Sequence, residues 1–141
     1  MKISNPYETD TVDLDGVQFT HKDILNVVDD FYTRVQNDEV LQVPFASVRD
    51  WPEHIHKLTH FWWVRFGGKA YLSIQYNPIA KHFAAGFNRD FLVRWLGLFR
   101  ETMQTHLQPA QVDAWRSLSE LMGESLSQRN EFLKAQQERR L

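Results

Sequence analysis

The segment "WPEHIHKLTHFWW", residues 51–63, holds three histidines and three tryptophans in thirteen positions. It is framed by signals that begin and end a helix. Asp50 and Glu53 are the two ends of a D-x-x-E cap, and Pro52 falls in the first turn, where its missing N–H does no harm. The glycine pair at 67–68 is a typical helix stop. The segment therefore predicts a helix with a histidine-rich and aromatic surface.

Helical spacing divides the three histidines between two faces. His54 precedes Leu58 by four positions and Phe61 by seven, so it shares an apolar face with them. His56 and His60 are also four apart, but on a different face. A zinc-protease helix would carry Glu directly after the first of these histidines, and no third ligand is near. We therefore predict that His56 and His60 are solvated or half-buried and that both are dispensable.

Other segments also repeat apolar residues at the third and fourth positions typical of amphipathic helices. The long ones cover residues 20–35, 89–107 and 109–126, and Pro78 opens a short one at 77–86. Together with the helix from residue 51, they predict an all-α fold. Residues 1–19 are polar without a sustained period, which predicts a flexible N-terminal extension. Residues 129–141 are predicted to be a charged C-terminal helical tail.

Composition excludes several classes of function. The chain has no cysteine, so disulfides, thiolate zinc sites, iron–sulfur clusters and cysteine nucleophiles are ruled out. A formal net charge of −2 gives no attraction to nucleic acid or to an anionic membrane. Apolar runs are too short to span a membrane, and the first residues do not resemble a signal peptide. We therefore expect a cytoplasmic protein with neither kind of partner.

The aromatic content, 13% of the residues, suggests a core built around a large flat group. His54 and His82 are both predicted to point inward, from different helices. An imidazole ligand, apolar walls and a few polar groups opposite are what a haem pocket needs. An ordinary packed core with two histidines fits the pattern equally well. The apolar candidates for the pocket walls are Phe45, Leu58, Phe61, Trp62, Ile79, Phe83, Leu92 and Met122.

Five motifs in order give the sequence a family resemblance. They read "DDFYTRVQND", "VPF", "WPEHIHKLTHFW", "NPIAKH" and "FLVRWLGLF". In this order and at these spacings the chain resembles the truncated haemoglobins, most closely their third group, over Thr20 to Gln128. The resemblance implies a truncated globin domain at residues 20–128, a two-over-two helical sandwich around haem b. The glycine pair at 67–68 is more usual in the other groups of that family.

The resemblance assigns roles to single residues. It implies that His82 is the proximal ligand of the iron. On the opposite, distal side, the Tyr32 hydroxyl and the Trp95 indole N–H would donate to a bound gas. His54 would gate access to that side, and Leu58 would line it.

The resemblance also implies a set of contacts to the haem itself. Lys57 and Lys81 lie where a haem propionate could be met, although a solvated surface position is the default for a lysine. The cofactor-binding residues that we expect are His82, Phe45, Lys57, Leu58, Phe61, Trp62, Ile79, Lys81, Phe83, Leu92 and Met122.

Two distal donors imply a function as well as a site. Hydrogen bonds of about 1.5–3 kcal/mol each would slow the release of dioxygen by roughly two to four decades. Slow release suits nitric oxide dioxygenase or peroxidase-like chemistry, with a reductase partner, better than bulk oxygen transport. Dioxygen, nitric oxide and carbon monoxide are the expected ligands. A gas sensor and a cofactor-free helical interaction domain are the alternatives.

Overall fold

Residues 10–46, 48–73 and 89–139 are described by a computed structural model. This part of the chain begins with two strands, β1 (Thr11–Leu14) and β2 (Val17–Thr20). The helices that follow are α1 (His21–Gln36), α2 (Trp51–Arg65), α3 (Arg89–His106) and α4 (Pro109–Arg139). The helical elements agree with the predicted fold class, and the short predicted helix at 77–86 lies outside the described residues.

Helix α1 begins at a capping box formed by Thr20 and Asp23. Thr20 Oγ1 accepts a hydrogen bond from the backbone N–H of Asp23 at 3.0 Å, and Asp23 Oδ2 accepts one from the N–H of Thr20 at 3.0 Å. These two bonds satisfy N–H groups that a helix terminus leaves without partners. The apolar residues that repeat at third and fourth positions along this helix are fully buried, at Ile24, Val27, Val28, Phe31 and Val35.

Helix α2 also begins and ends at the predicted signals. Asp50 Oδ1 accepts from the N–H of Glu53 at 3.0 Å. After Arg65 the chain turns, with Gly67 at a φ of +100°, a region that favours glycine. The N–H of Gly68 then donates to the carbonyl of Trp63 at 2.9 Å. A Cβ at Gly68 would overlap the Trp63 indole, so the close return of the chain requires glycine there.

The helices pack around one aromatic core. Helix α1 lies against α2 and α3, and α3 lies against α4. Trp115 of α4 is fully buried at the centre of the core. Its ring lies 5–6 Å from four other rings, those of Phe19, Trp62, Phe66 and Phe99. Within the described residues, this core joins α1, α2 and α3, the helices that carry Tyr32, His54 and Trp95.

The flexible extension predicted for residues 1–19 is wrong over residues 11–19. Strands β1 and β2 form an antiparallel hairpin in which Thr11 pairs with Thr20 and Leu14 with Val17. The turn between them is Asp15–Gly16, with φ angles of +52° and +83°. Asp–Gly with positive φ at both positions is a favoured two-residue hairpin turn, and this was the signal missed.

The hairpin is held by the apolar residues that alternate along it. Val12 and Leu14 are buried on β1, and Phe19 is fully buried on β2. The Phe19 ring lies 5.0 Å from that of Phe66 and 5.9 Å from that of Trp115. Strands of four residues are too short for a period of two to stand out, although the pattern is present.

At the other end of the chain, α4 continues to Arg139 without a break. Residues 129–139 are therefore helical, as predicted for the tail. No helix in the described part of the chain combines the length and the apolar character needed to cross a bilayer.

Candidate functional site

Tyr32 is the centre of an aromatic group formed by three parts of the chain. It lies on α1 and is only 3% exposed. Its ring centroid is 5.0 Å from that of His54 and 6.0 Å from that of Trp51, both on α2. Phe45, on the connector between α1 and α2, lies 5.9 Å away. The predicted distal residues Tyr32 and His54 are thus brought together.

His54 fills the space between the aromatic rings of this group. Its own ring is 5.4 Å from Trp51 and 6.2 Å from Phe45. The His54 Nε2 atom is shielded from solvent, while the residue as a whole is half-buried. Leu58, one helical turn further on, is 4% exposed. Both side chains therefore face inward, as their spacing predicts.

Trp51 belongs to this group, but the sequence did not single it out as a site residue. Its ring contacts those of Tyr32, Phe45 and His54. The available signal was its position three residues before His54, which places the two side chains on neighbouring surfaces of a helix.

Trp95 reaches the same region from α3. Its ring stacks on that of Phe99 at 4.7 Å with 8° between the planes, and it lies 5.1 Å from Phe31. Phe31 in turn lies 4.9 Å from Tyr32 and so links the two predicted donors. The Trp95 Nε1 atom is buried and has no hydrogen-bond acceptor among the described residues. Because a buried N–H without an acceptor costs free energy, the site suits a ligand that accepts a hydrogen bond there.

The predicted apolar walls that the structure describes are buried or partly buried in the core. Trp62 and Leu92 are each 4% exposed, and Phe45, Phe61 and Met122 pack against the core with part of their surface open. A Cβ at position 123 would come within 2.6 Å of Leu92, so Gly123 lets α3 and α4 approach closely.

Lys57 forms an ion pair within its own helix. Its ammonium lies 3.0 Å from a carboxylate oxygen of Glu53, one turn earlier. The predicted contact of Lys57 with a propionate would have to replace this exposed ion pair, which contributes little by itself. The expected proximal residues Ile79, Lys81, His82 and Phe83 lie outside the described residues.

The connector that carries Phe45 is fixed to α3. Asp38 Oδ1 accepts from the N–H groups of Val40 and Leu41, each at 3.0 Å. Asp38 Oδ2 accepts from Nε of Arg94 at 2.8 Å. The hydrogen bonds from Arg94, assisted by those backbone groups, hold the pKa of the Asp38 carboxyl below its ordinary value although burial opposes this. Arg94 directly precedes Trp95, so this contact ties the two walls of the site together.

The prediction of a solvated or half-buried site for both His56 and His60 is wrong for His60. His56 is exposed, but His60 is 8% exposed, and its Nε2 accepts from the N–H groups of Tyr71 and Leu72, each at 3.2 Å. The reason is that the chain folds back over this face of α2 after Gly68, which helical spacing does not reveal. Within the described ranges no group of three or more His, Asp or Glu residues could hold a metal ion.

Comparison with known proteins agrees with this arrangement of helices. The family model described as "Bacterial-like globin" matches residues 18–126. The chain belongs to the bacterial-like globins. Membership implies, in general terms, that this globin binds haem and small diatomic gases.

The likeness extends to a solved structure. This globin is similar to the crystal structure of a group III truncated hemoglobin from Campylobacter jejuni, with a TM-score of 0.71 and 22% sequence identity. The match covers 78% of this chain and 90% of that chain. At this identity the likeness shows the globin fold. No curated protein matches the sequence closely.

Proposed function

We propose that this globin binds haem b through His82 and holds a diatomic gas on the opposite side with Tyr32 and Trp95. The observation that carries the proposal is the buried Trp95 Nε1, which has no acceptor among the described residues. Only the ring of Phe31, which contacts both, separates the Trp95 ring from that of Tyr32. When bound, haem supplies an iron with one coordination position open to dioxygen, nitric oxide or carbon monoxide. The orphaned donor and the apolar surroundings both fit that group.

The chain's own residues determine how firmly the gas is held. The Trp95 indole donates from α3 and the Tyr32 hydroxyl donates from α1. Both lie in a water-poor aromatic surrounding, where hydrogen bonds are stronger than in water. His54 stands between Tyr32, Phe45 and Trp51, so its side chain must move before a ligand can pass from this direction. We assign it the role of a gate.

Two donors to one ligand favour retention over delivery. A protein that releases dioxygen slowly is better suited to oxidise nitric oxide or to act on peroxide, with a reductase partner to restore the ferrous state, than to transport oxygen in bulk. We place this activity in the cytoplasm. A gas sensor would use the same residues to hold its ligand.

The test of haem binding is a titration of the purified protein with hemin. We expect a Soret band that saturates at one haem per chain. His82→Ala should lose the band or recover it only with added imidazole, whereas the exposed His56→Gln serves as a matched control and should bind as the unmodified protein does. A chain that shows no Soret band, or a His82→Ala variant with an unchanged ferrous spectrum, would contradict the proposal.

A further inference from the structure

The segment that follows α2 is attached to the helices by histidine side chains. Residues 69–73 form neither helix nor strand. The Nε2 atom of His60 accepts from the backbone N–H groups of Tyr71 and Leu72, each at 3.2 Å. The Nε2 atom of His21, at the start of α1, lies 2.8 Å from the Tyr71 hydroxyl. Two helices therefore bind Tyr71: α2 contacts its backbone N–H and α1 contacts its side-chain hydroxyl.

Burial and ring packing strengthen this attachment. Tyr71 is 4% exposed. Its ring meets that of His60 edge-on at 4.7 Å and that of His21 at 5.4 Å. One further hydrogen bond, from Trp63 Nε1 to the carbonyl of Lys69 at 3.1 Å, fixes the start of the segment. Since the segment has no regular secondary structure, these side chains determine its path.

The attachment depends on the charge state of His60. A nitrogen that accepts two N–H groups must carry a lone pair, so the imidazole is neutral with its proton on Nδ1. Protonation would place a third N–H against the N–H groups of Tyr71 and Leu72. Both hydrogen bonds would then be lost, and three donors would face one another without an acceptor.

We propose that His60 and His21 form a pH-sensitive clasp on residues 69–73 that positions the chain leading to His82 and releases it on acidification. The link to iron ligation rests on the function proposed above, because it requires His82 to be the ligand. The clasp itself does not, since its residues and contacts are all in the described part of the chain. His60 and His21 are positioning residues in this proposal, acting through Tyr71.

The groups around the clasp set the direction of its response. Burial, and secondarily the neighbouring His56, lower the pKa of His60 from its ordinary value of 6.5. Burial raises the pKa of Tyr71 to about 12, so that the phenol keeps its proton throughout. Of the described groups packed on Tyr71, His21 from α1 and His56 from α2 are the other two imidazoles, and a charge on His56 would oppose a charge on His60.

The sign follows from the lowered pKa of His60. Its neutral form is favoured in the folded protein, so the unfolded chain binds the extra proton first as the pH falls. The stabilisation that neutral His60 gives to the folded protein is complete above about pH 6.5 and declines below that value. It is lost once the pH has fallen through the lowered pKa of His60 in the folded protein.

The experiment measures amide hydrogen exchange at Tyr71 and Leu72 by NMR, as protection factors corrected for intrinsic exchange, at pH 7.5 and pH 5.0. In the unmodified protein we expect protection to fall at least tenfold at the lower pH. His60→Gln supplies an amide oxygen that accepts without titrating, so protection should be similar at both values. His60→Leu should be unprotected at both, and His56→Gln should retain the fall with its midpoint at a higher pH. The clasp would be overturned if the protection factors of the unmodified protein did not change with pH, or if those of His60→Gln still fell at pH 5.0.

A second readout tests the connection to His82. Transfer of haem from the loaded protein to a haem-scavenging apoglobin should be at least tenfold faster at pH 5.0 than at pH 7.5, and His60→Gln should abolish most of that difference. Equal pH dependence in both proteins would overturn the positioning role. Absence of haem binding at any pH would refute the proposed function, and the amide protection factors would still decide whether the clasp exists.

Discussion

His54 shows how one side chain can control access without holding the ligand. Its ring is enclosed by Tyr32, Phe45 and Trp51, and its Nε2 is shielded from solvent. We expect His54→Leu to raise the rate of carbon monoxide association several-fold, because leucine leaves a smaller obstruction in the aromatic group. Dissociation of dioxygen should change less than twofold. Laser photolysis and stopped flow measure the two rates. A dissociation change larger than the association change would make His54 a direct clamp.

Among single residues, the burial of His60 could not be predicted from the sequence. Spacing correctly separated His54 from His56 and His60, because a helix has a fixed period. It could not show that the backbone of Tyr71 and Leu72 lies on His60, since that contact depends on the path of the chain after Gly68. That both histidines are dispensable for haem binding stays a prediction. A double His56→Gln and His60→Gln replacement should leave the Soret band unchanged, because glutamine can accept the same backbone N–H groups.

At the scale of elements, the contact between Asp38 and Arg94 joins the α1–α2 connector to α3. Asp38→Ala should lower the free energy of unfolding by about 2–3 kcal/mol, since it leaves the buried N–H of Leu41 and the partly buried N–H of Val40 without their acceptor. Asp38→Asn retains that acceptor and should cost less. Arg94→Gln is the matched control and should also cost less, because the Arg94 side chain is 52% exposed. Urea unfolding at pH 7 measures all three.

The pH dependence of the same contact has a definite sign. The pKa of Asp38 is lowered in the folded protein, so its stabilisation is complete well above pH 3.8 and is lost as the pH falls through the lowered value. The difference between the unmodified protein and Asp38→Asn should therefore be constant from pH 7 to about pH 5 and shrink below about pH 3.8. A difference that grew on acidification would contradict the assigned ion pair.

The helices were more predictable than the hairpin for a physical reason. The capping box at Thr20, the cap at Asp50 and the glycine stop after α2 are local signals, and each begins or ends a helix at the expected residue. The hairpin depends on Phe19 reaching Phe66 and Trp115, residues distant in the sequence. Its one local signal, Asp15–Gly16, lies in a stretch that reads as polar overall.

At the scale of the whole molecule, the hairpin closes the core around Trp115. Phe19→Ala should lower the free energy of unfolding by about 3–5 kcal/mol, the usual cost of removing a fully buried phenylalanine ring. Its effect on gas binding should be small, because Phe19 contacts Trp115 and Phe66 rather than Tyr32 or Trp95. Gln18→Ala, at an exposed hairpin position, is the control. Thermal unfolding and ligand kinetics of the two variants measure both effects, and a loss below 1 kcal/mol for Phe19→Ala would show that the hairpin is not part of the core.

The site as a whole was predictable to the extent that its motifs are local. "DDFYTRVQND", "VPF" and "WPEHIHKLTHFW" supplied Tyr32, Phe45 and His54, and the structure brings these three together. Trp51 and the tie between Asp38 and Arg94 were not predicted, because they depend on contacts between elements. The role of His82 stays a prediction that rests on the family resemblance.

The dissociation rate of dioxygen from the haem-loaded protein tests the claim that the Trp95 indole, whose Nε1 atom is buried, donates to a gas ligand. We expect Trp95→Phe to raise that rate at least tenfold, equivalent to about 1.4 kcal/mol of hydrogen bonding, and Tyr32→Phe to do the same, while carbon monoxide dissociation changes much less. Trp115→Phe removes another buried N–H that has no acceptor among the described residues, in the same core but away from Tyr32, and should leave the rate within twofold. An unchanged rate in both Trp95→Phe and Tyr32→Phe, or an equal rise in Trp115→Phe, would contradict the claim.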